Sequence, residues 1–364
     1  MRRGMTVATL LAATAVIVGC SSGGAGSQPA AGSAAPLTGD ACDPPRQDGT
    51  TLTLAAQGGS YQDALKRAWQ EPYTQLTGVQ FVNDESSSNA TVRAQVESGQ
   101  VTWDVVDVGS DFGLDAHRDL LEPLDYGLIP RDEMNPDLDP TAYRVPVMTY
   151  GVVLAYNTDA TAGQVPAGWA DFFDTAEIPG KRGVYDYPAG GIFEMALMAD
   201  GVAPAALYPL DLERATAKLD TIKDDIVFWT SGAESRELIG SGEVAMSMMW
   251  NGRTWGAIHE DNRPVAIQWN QQILTADYFV VPKGAPNRDA AMRFIAWSVC
   301  AENNGALSTY ISYGPSNVNS EPDPAMVDDL PVSHVDENTA YFDDAYLVEN
   351  LEALDAAWQD WKSR

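Results

Sequence analysis

The segment WNGRTW, Trp250 to Trp255, places one arginine between two indole side chains, directly after the apolar run EVAMSMM. A guanidinium is permanently charged and presents its N–H donors in a rigid fork, so it suits a carboxylate when enclosed and an aromatic face when exposed. The chain around it is acidic, with 51 Asp and Glu against 22 Lys and Arg and a formal charge of −29. That balance argues against nucleic acid as a partner, because phosphate binding needs a basic face. It favours the approach of cations and amines, and it also keeps a secreted protein soluble. No G-x-S-x-G, H-E-x-x-H, Walker A or C-x-x-C pattern occurs. His117, His259 and His334 stand alone and read as surface or capping residues, and NPDLDP (135–140) reads as a solvated turn rather than a calcium loop. Met246, Met248 and Met249 read as core filling. The chemistry is that of a binding protein without metal or cofactor, not of an enzyme.

The surrounding elements must position that arginine. TLTLAA (51–56) reads as a strand broken at Gly58-Gly59-Ser60, followed by a helix with Tyr61, Leu65, Ala68, Trp69 and Tyr73 on one face. VQFVND (79–84) is a second strand, ATVRAQVESG (90–99) a helix ended by glycine, and WDVVDVGS (103–110) a strand running into a Gly-Ser turn. Strand–helix alternation of this kind predicts an open α/β sheet, with ligands beyond the carboxyl ends of its strands. Loops 57–61 and 109–113 lie there, which makes Tyr61 and Ser110 candidate ligand contacts. A second section opens at YGVVLAYNTD (150–159). Turn-rich IPGKRGVYDYPAGG (178–191) leads into helix IFEMALMADG (192–201), and DLERATAKLDTIKDD (211–225) is an amphipathic helix. GEVAMSMMWNG (242–252) reads as strand plus turn, and ADYFVVPKG (276–284) as a strand. DAAMRFIAWSVCAENNGA (289–306) and VENLEALDAAWQDWKSR (348–364) read as helices.

MRRGMTVATLLAATAVIVGC has two arginines, an apolar run and then Val18-Gly19-Cys20. Residues 1–19 are a signal peptide, too short and wrongly flanked for a spanning helix. Small residues before a cysteine, followed by SSGGAGS, resemble the bacterial lipobox, which implies cleavage before Cys20 and acyl chains anchored there. Residues 20–49 then form the lipidated cysteine and a Gly-, Ser-, Ala- and Pro-rich tether reaching roughly 30 Å. With Cys20 assigned to lipid, Cys42 and Cys300 remain as an even pair in an oxidising compartment, where a disulfide is the natural reading and two free thiols the alternative.

Signal peptide, tether and two α/β sections together resemble a bacterial ABC-transporter solute-binding lipoprotein. LTGVQF, WDVVDVGS, YNTD, GWADFFD before PGKRG, the FEMAL helix, GEVAMSMMWNG, DYFVVPKGAPN and YGPSN follow one another as in the spermidine/putrescine-binding group. The resemblance covers nearly everything from residue 50 onward. It implies a two-lobe, type II fold, each lobe a mainly parallel sheet flanked by helices and joined to the other by a hinge. Lobe 1 comprises 50–152 plus 276–321, and lobe 2 comprises 153–275 plus 322–364.

Residue by residue, the resemblance implies that Trp250 packs on ligand methylenes and that Asp277 takes an amine. Tyr313, and roughly Tyr61, match tyrosines of the group's site. The departures carry equal weight. Tyr187-Pro188-Ala189-Gly190-Gly191 has no acid where relatives have carboxylates, Asp186 is out of register, and Arg253 replaces a small residue. One acid kept and one cation gained suit an ω-amino acid such as γ-aminobutyrate, which some members of the broad group bind. A polyamine is the first alternative, followed by a lipoprotein enzyme or a sensor. Ferric ion is disfavoured, because the adjacent tyrosine pair of iron-binding relatives is missing. The resemblance further implies an ABC permease as partner, a monomeric state, and a lipid-anchored position on the extracytoplasmic face of the cell membrane.

Overall fold

The computed structural model describes residues 36–138 and 140–364; the signal peptide, Cys20, the tether up to residue 35 and Asp139 lie outside them. Strand β1 (Thr51–Ala55) pairs in parallel with β2 (Gln80–Asp84) on one side and β3 (Val105–Val108) on the other. Between β1 and β2, helix α1 (Gly59–Leu65) passes through a π-turn over Lys66–Gln70 into α2 (Glu71–Thr77). Tyr61, Leu65, Ala68, Trp69 and Tyr73 are all buried, as their helical spacing predicts. Helix α3 (Asn89–Ser98) starts where Ser88 Oγ accepts the Thr91 N–H and stops at left-handed Gly99.

The centre of the sheet is a long antiparallel pair. β4 (Val145–Asn157) lies against β8 (Val265–Val280) from Val145 opposite Phe279 to Asn157 opposite Val265, with register shifts at Pro146/Met148 and Val152/Leu154. β8 also pairs antiparallel with β3. On the far side β4 pairs with β7 (Met246–Trp250), which runs parallel to β5 (Arg182–Tyr185), itself parallel to β6 (Ile226–Trp229). The order is β2-β1-β3-β8-β4-β7-β5-β6, with short β9 (Gly314–Pro315) on β4 and β10 (Ala340–Tyr341) on β8. Two groups of parallel strands therefore flank one antiparallel pair. The boundaries expected at 152/153 and 275/276 fall inside β4 and β8, which run unbroken through them.

Helices α4 (Trp169–Phe172), α5 (Phe193–Ala199), α6 (Leu212–Asp220), α7 (Gly232–Ser241) and α8 (Asn251–His259) accompany the β5–β7 group. Trp169, Phe193, Met246 and Met248 form one core there with Trp358 and Trp361 of α11 (Asp344–Ser363). The other core joins Leu52, Trp69, Tyr73 and Phe279 to Phe294 and Trp297 of α9 (Arg288–Val299), which continues through Cys300 into α10 (Ala301–Asn304).

Several expectations need correction. The turn-rich reading of 178–191 hides β5, whose four residues lie between Gly180 and Pro188. β8 starts at Val265 rather than near Ala276, because its half-exposed polar run QWNQQ gives no clean alternation. WNG is not a turn after β7: Trp250 ends the strand and Asn251 and Gly252 already begin α8. His117 is no surface residue: it is buried with its ring 4.2 Å from Phe112, and desolvation pulls its pKa down to about 4.

Cys42 and Cys300 form a disulfide with Cα atoms 5.9 Å apart, tying the segment before β1 to the end of α9 across 258 residues. On the chain-entropy account a loop that long contributes about 5 kcal/mol, and measured bridges usually contribute less. The double variant Cys42→Ser/Cys300→Ser should therefore denature at a clearly lower urea concentration, and an unchanged midpoint would contradict that role. Among the described residues no helix is long and apolar enough to cross a membrane.

Candidate functional site

The ends of β1, β3 and β7 and the middle of β4 and β8 converge on a cavity of about 590 Å³. That size is typical of a small-molecule site. Tyr61, Ser110, Trp250, Arg253, Asp277 and Tyr313, the six residues singled out from the sequence, all line it.

The junction of β7 and α8 fixes two of them. Asn251 Oδ1 accepts the Gly151 N–H at 2.9 Å, while its Nδ2 donates to the Ser312 carbonyl at 2.5 Å and Ser312 Oγ at 3.1 Å. Gly252 is required by close approach, since a Cβ there would lie 2.5 Å from the Tyr313 ring. With Asn251 clamped, Trp250 faces the cavity and Arg253 follows one turn later. Trp250 meets Tyr185 and Trp229 edge-on, both at 5.3 Å, while those two rings stack on each other at 4.5 Å. Trp255 points elsewhere, stacking on His259 at 5.1 Å.

Arg253 is 2% exposed. Its Nη1 donates to Ser60 Oγ at 2.9 Å and its Nη2 to the Gly58 carbonyl at 3.0 Å, while Nε is buried without a partner. Gly58 and Gly59 have φ of 64° and 57°, a left-handed pair that folds the 57–60 loop onto the guanidinium. Each terminal nitrogen carries two hydrogens, so both amino groups remain able to donate again. The structure thus gives Arg253 a second task that the sequence did not reveal: it ties α8 to the loop after β1.

Opposite this cation sit carboxylates. Asp277 faces the cavity from β8, near the Tyr150 hydroxyl. Desolvation pushes its pKa up to about 7, against the opposing pull of the Arg253 charge first and the Tyr150 hydroxyl second. Asp107 on β3 is 1% exposed and accepts the Tyr61 hydroxyl at 3.2 Å, while its Oδ2 is buried with no partner. Burial first and the Asp277 charge second hold its carboxyl well above the usual range, although Tyr61 and Arg253 oppose them. Asp111 is also buried; Tyr187 donates its hydroxyl to Oδ2, and Asn89 Nδ2 donates at 3.1 Å. Beneath this loop Arg144, fully buried, donates from Nη1 to the carbonyls of Ser110 at 2.6 Å and Phe112 at 3.0 Å. Its Nη2 reaches Asp344 of α11 at 2.5 Å. Tyr61 and Tyr150 meet the Tyr313 ring at 5.6 and 5.8 Å and complete the aromatic wall.

Such an enclosure can desolvate a small organic ion and offers charge of both signs with flat apolar faces between. Asp107, Asp111, Tyr150, Tyr185 and Tyr187 also line it and escaped the sequence reading. The available signal for Asp107 was a charge inside the apolar strand VVDV. Asp186 takes no part; it accepts Trp358 Nε1 at 2.7 Å and Lys362 Nζ at 2.6 Å, pinning α11. Among the described residues no group of three or more His, Cys, Asp or Glu is placed to hold a metal ion.

Residues 68–332 match the family of bacterial extracellular solute-binding proteins. The chain belongs to that family. The γ-aminobutyric acid-binding protein of Pseudomonas aeruginosa is 32% identical over an alignment of 337 positions that covers 86% of this chain and 91% of that one. The solved structure of a GABA receptor is 40% identical, with a TM-score of 0.78 over 86% of this chain and 98% of that one. The binding protein AgtB from A. tumefaciens R10, solved in complex with agropinic acid, is 34% identical, with a TM-score of 0.80 over 87% and 100% of the two chains. The α/β fold of type II solute-binding proteins, expected from the sequence, is the fold observed.

Asp111 belongs to the β3 side and Tyr187 to the β5 side, so their bond closes one wall of this solute-binding protein's cavity. Tyr187→Phe leaves a buried carboxylate short of a donor, a loss of about 1–3 kcal/mol. Denaturant unfolding should register it as reduced stability at neutral pH, and wild-type stability would show that Asp111 does not depend on the phenol.

Proposed function

We propose that the protein captures a small ω-amino acid of the γ-aminobutyrate type and delivers it, unaltered, to an ABC permease. The observation that supports this reading is that Arg253 and Asp277, of opposite charge, line one cavity together with Trp250. The ligand's ammonium pairs with Asp277, its methylenes lie on Trp250, and its carboxylate takes the remaining N–H groups of Arg253. That guanidinium is already oriented by Ser60 and Gly58, so its geometry is paid before the ligand arrives. Two relatives named for γ-aminobutyrate, at 32% and 40% identity, support the same ligand class. Segments 50–152 plus 276–321 and 153–275 plus 322–364 act as two lobes that close on the ligand about β4 and β8. The chain acts as a monomer.

Polyamine capture is the second reading, favoured by a specific observation: Asp107 and Asp111 join Asp277, so three carboxylates surround one arginine. Isothermal titration separates the two. The unmodified protein should bind γ-aminobutyrate more tightly than putrescine. Arg253→Ser should cost the amino acid roughly thirty-fold or more, about 2–5 kcal/mol for unpairing an enclosed charge, and shift the preference toward the diamine. Asp277→Asn should weaken both. Tighter putrescine binding by the wild type, or an unchanged ranking in Arg253→Ser, would make Arg253 a clasp for the 57–60 loop only.

We further propose that the protein works from the outer face of the cell membrane through acyl chains on Cys20, the last residue of VGC. Cys20→Ala should release it from the membrane fraction or block processing at that site. Unchanged retention with an unchanged N-terminal mass would refute the anchor.

A further inference from the structure

Asp107 Oδ2 is a buried acceptor without a donor, on a residue that lines the cavity. Leaving it so costs free energy unless something arrives to pair with it. The strand register says what would fit. In the antiparallel β3–β8 pair Asp107 is opposite Phe279, so Asp277, two residues along β8, lies diagonal to Asp107 on the same sheet face. Diagonal neighbours stand about 7–8 Å apart. An ammonium directs its N–H bonds at about the tetrahedral angle, so two carboxylates that share one need roughly 4.5 Å between their oxygens. The spacing suits one primary amine between the two.

We propose that Asp107 is a second ammonium-binding carboxylate facing Asp277, and that entry of the amine displaces a proton from this pair to solvent. The inference rests on the amine-binding reading above and adds to it a residue, a selectivity and a proton. Without ligand, two carboxylates on one desolvated face cannot both ionise cheaply, so one carboxyl keeps its O–H. When the ammonium enters, that O–H gives its proton to water or buffer, and N–H···O bonds replace it on both oxygens.

The groups facing Asp107 are few. Tyr61 from α1 donates to Oδ1, Asp277 faces it from β8, Arg253 approaches from α8, and Tyr313 stands by Tyr61. Tyr150 from β4 and Asp111 act on Asp277. Tyr61, Tyr150 and Tyr313 have their pKa values raised, burial first, and stay neutral, so the proton change falls on carboxylates, Asp107 and Asp277 nearest the amine. The raised carboxyl of Asp107 and the value of about 7 for Asp277 fix the sign. Protons bound by the free site must leave on binding, so amine affinity rises with pH through neutrality and levels off once both groups are ionised. The proton released belongs to the Asp107–Asp277 pair.

Isothermal titration of the full-length protein with γ-aminobutyrate at about pH 7.5, in two buffers of different ionisation enthalpy, reads that proton directly. The wild type should release a measurable fraction of a proton. Asp107→Asn preserves an acceptor for Tyr61 but not the exchangeable proton. It should lose about ten- to a hundredfold in affinity, and the buffer dependence of its binding heat should shrink. A wild-type measurement guards against misfolding of the variant: the N-trimethylated analogue of γ-aminobutyrate, which has no N–H to give two carboxylates, should bind at least a hundredfold more weakly. If γ-aminobutyrate binds with buffer-independent heat, or the trimethylated analogue binds equally well, or Asp107→Asn keeps both affinity and proton release, the second carboxylate is overturned while amine capture stands. If no amine binds the wild type at all, the underlying function falls with it.

Discussion

The antiparallel pairing of β4 with β8 is the constraint on which the rest of the structure depends. β8 borders one group of parallel strands and β4 the other, and both strands give residues to both cores, so the cores are built outward from a shared spine. Its register sets the chemistry of the cavity. Met148 is opposite Asp277 and Tyr150 opposite Thr275, which puts Tyr150 one step along the same face and within reach of the Asp277 carboxyl. Gly151, next along β4, gives its N–H to Asn251 and so locates the start of α8. A slip of one residue between the strands would turn one of them over and put Asp277 and Tyr150 on opposite faces.

Around this spine the protein encloses charge that a solvent-exposed surface would hold at no cost. Asp107, Asp111, Asp277 and Arg253 share one cavity, and Asp107 Oδ2 and Arg253 Nε are buried there without a partner. Partial compensation is poor design for stability and suited to binding, because the missing partners are the ligand's own charged ends. Arg144 illustrates the supporting layer. Clamped between the 110–112 carbonyls, the face of the Tyr278 ring at 3.9 Å and Asp344, it fixes the loop that carries Ser110 and Asp111. The formal charge of −29 concerns the outside; what the cavity selects is set by a handful of residues within it.

Much of this was legible in the chain. Regular strand–helix alternation at 51–110 gave the elements of the first group, since each has its own caps and periodicity. Landmarks resembling a known family then led to Trp250, Asp277 and Tyr313. What escaped depends on partners far away in sequence. Asp107 becomes a site residue only because β8, some 170 residues later, lies beside β3. Tyr187 looked like part of a turn because β5 is four residues long and bounded by glycine and proline, so its length offered no period to detect. Arg253 was read for its charge alone, and its bond to the Gly58 carbonyl could not be foreseen without the left-handed pair at Gly58 and Gly59.

Asn251, not Arg253, anchors the turn that presents Trp250. Its amide spans the Gly151 backbone and Ser312, so the junction stays locked whatever side chain stands two positions later. Frame and charge are thereby uncoupled. A replacement at 253 can invert the polarity preference of one end of the cavity while the indole and the spine stay where they are, at the cost of the clasp on the 57–60 loop. For a lineage of such proteins this opens a short mutational route between nutrients, each step of which passes through a folded molecule.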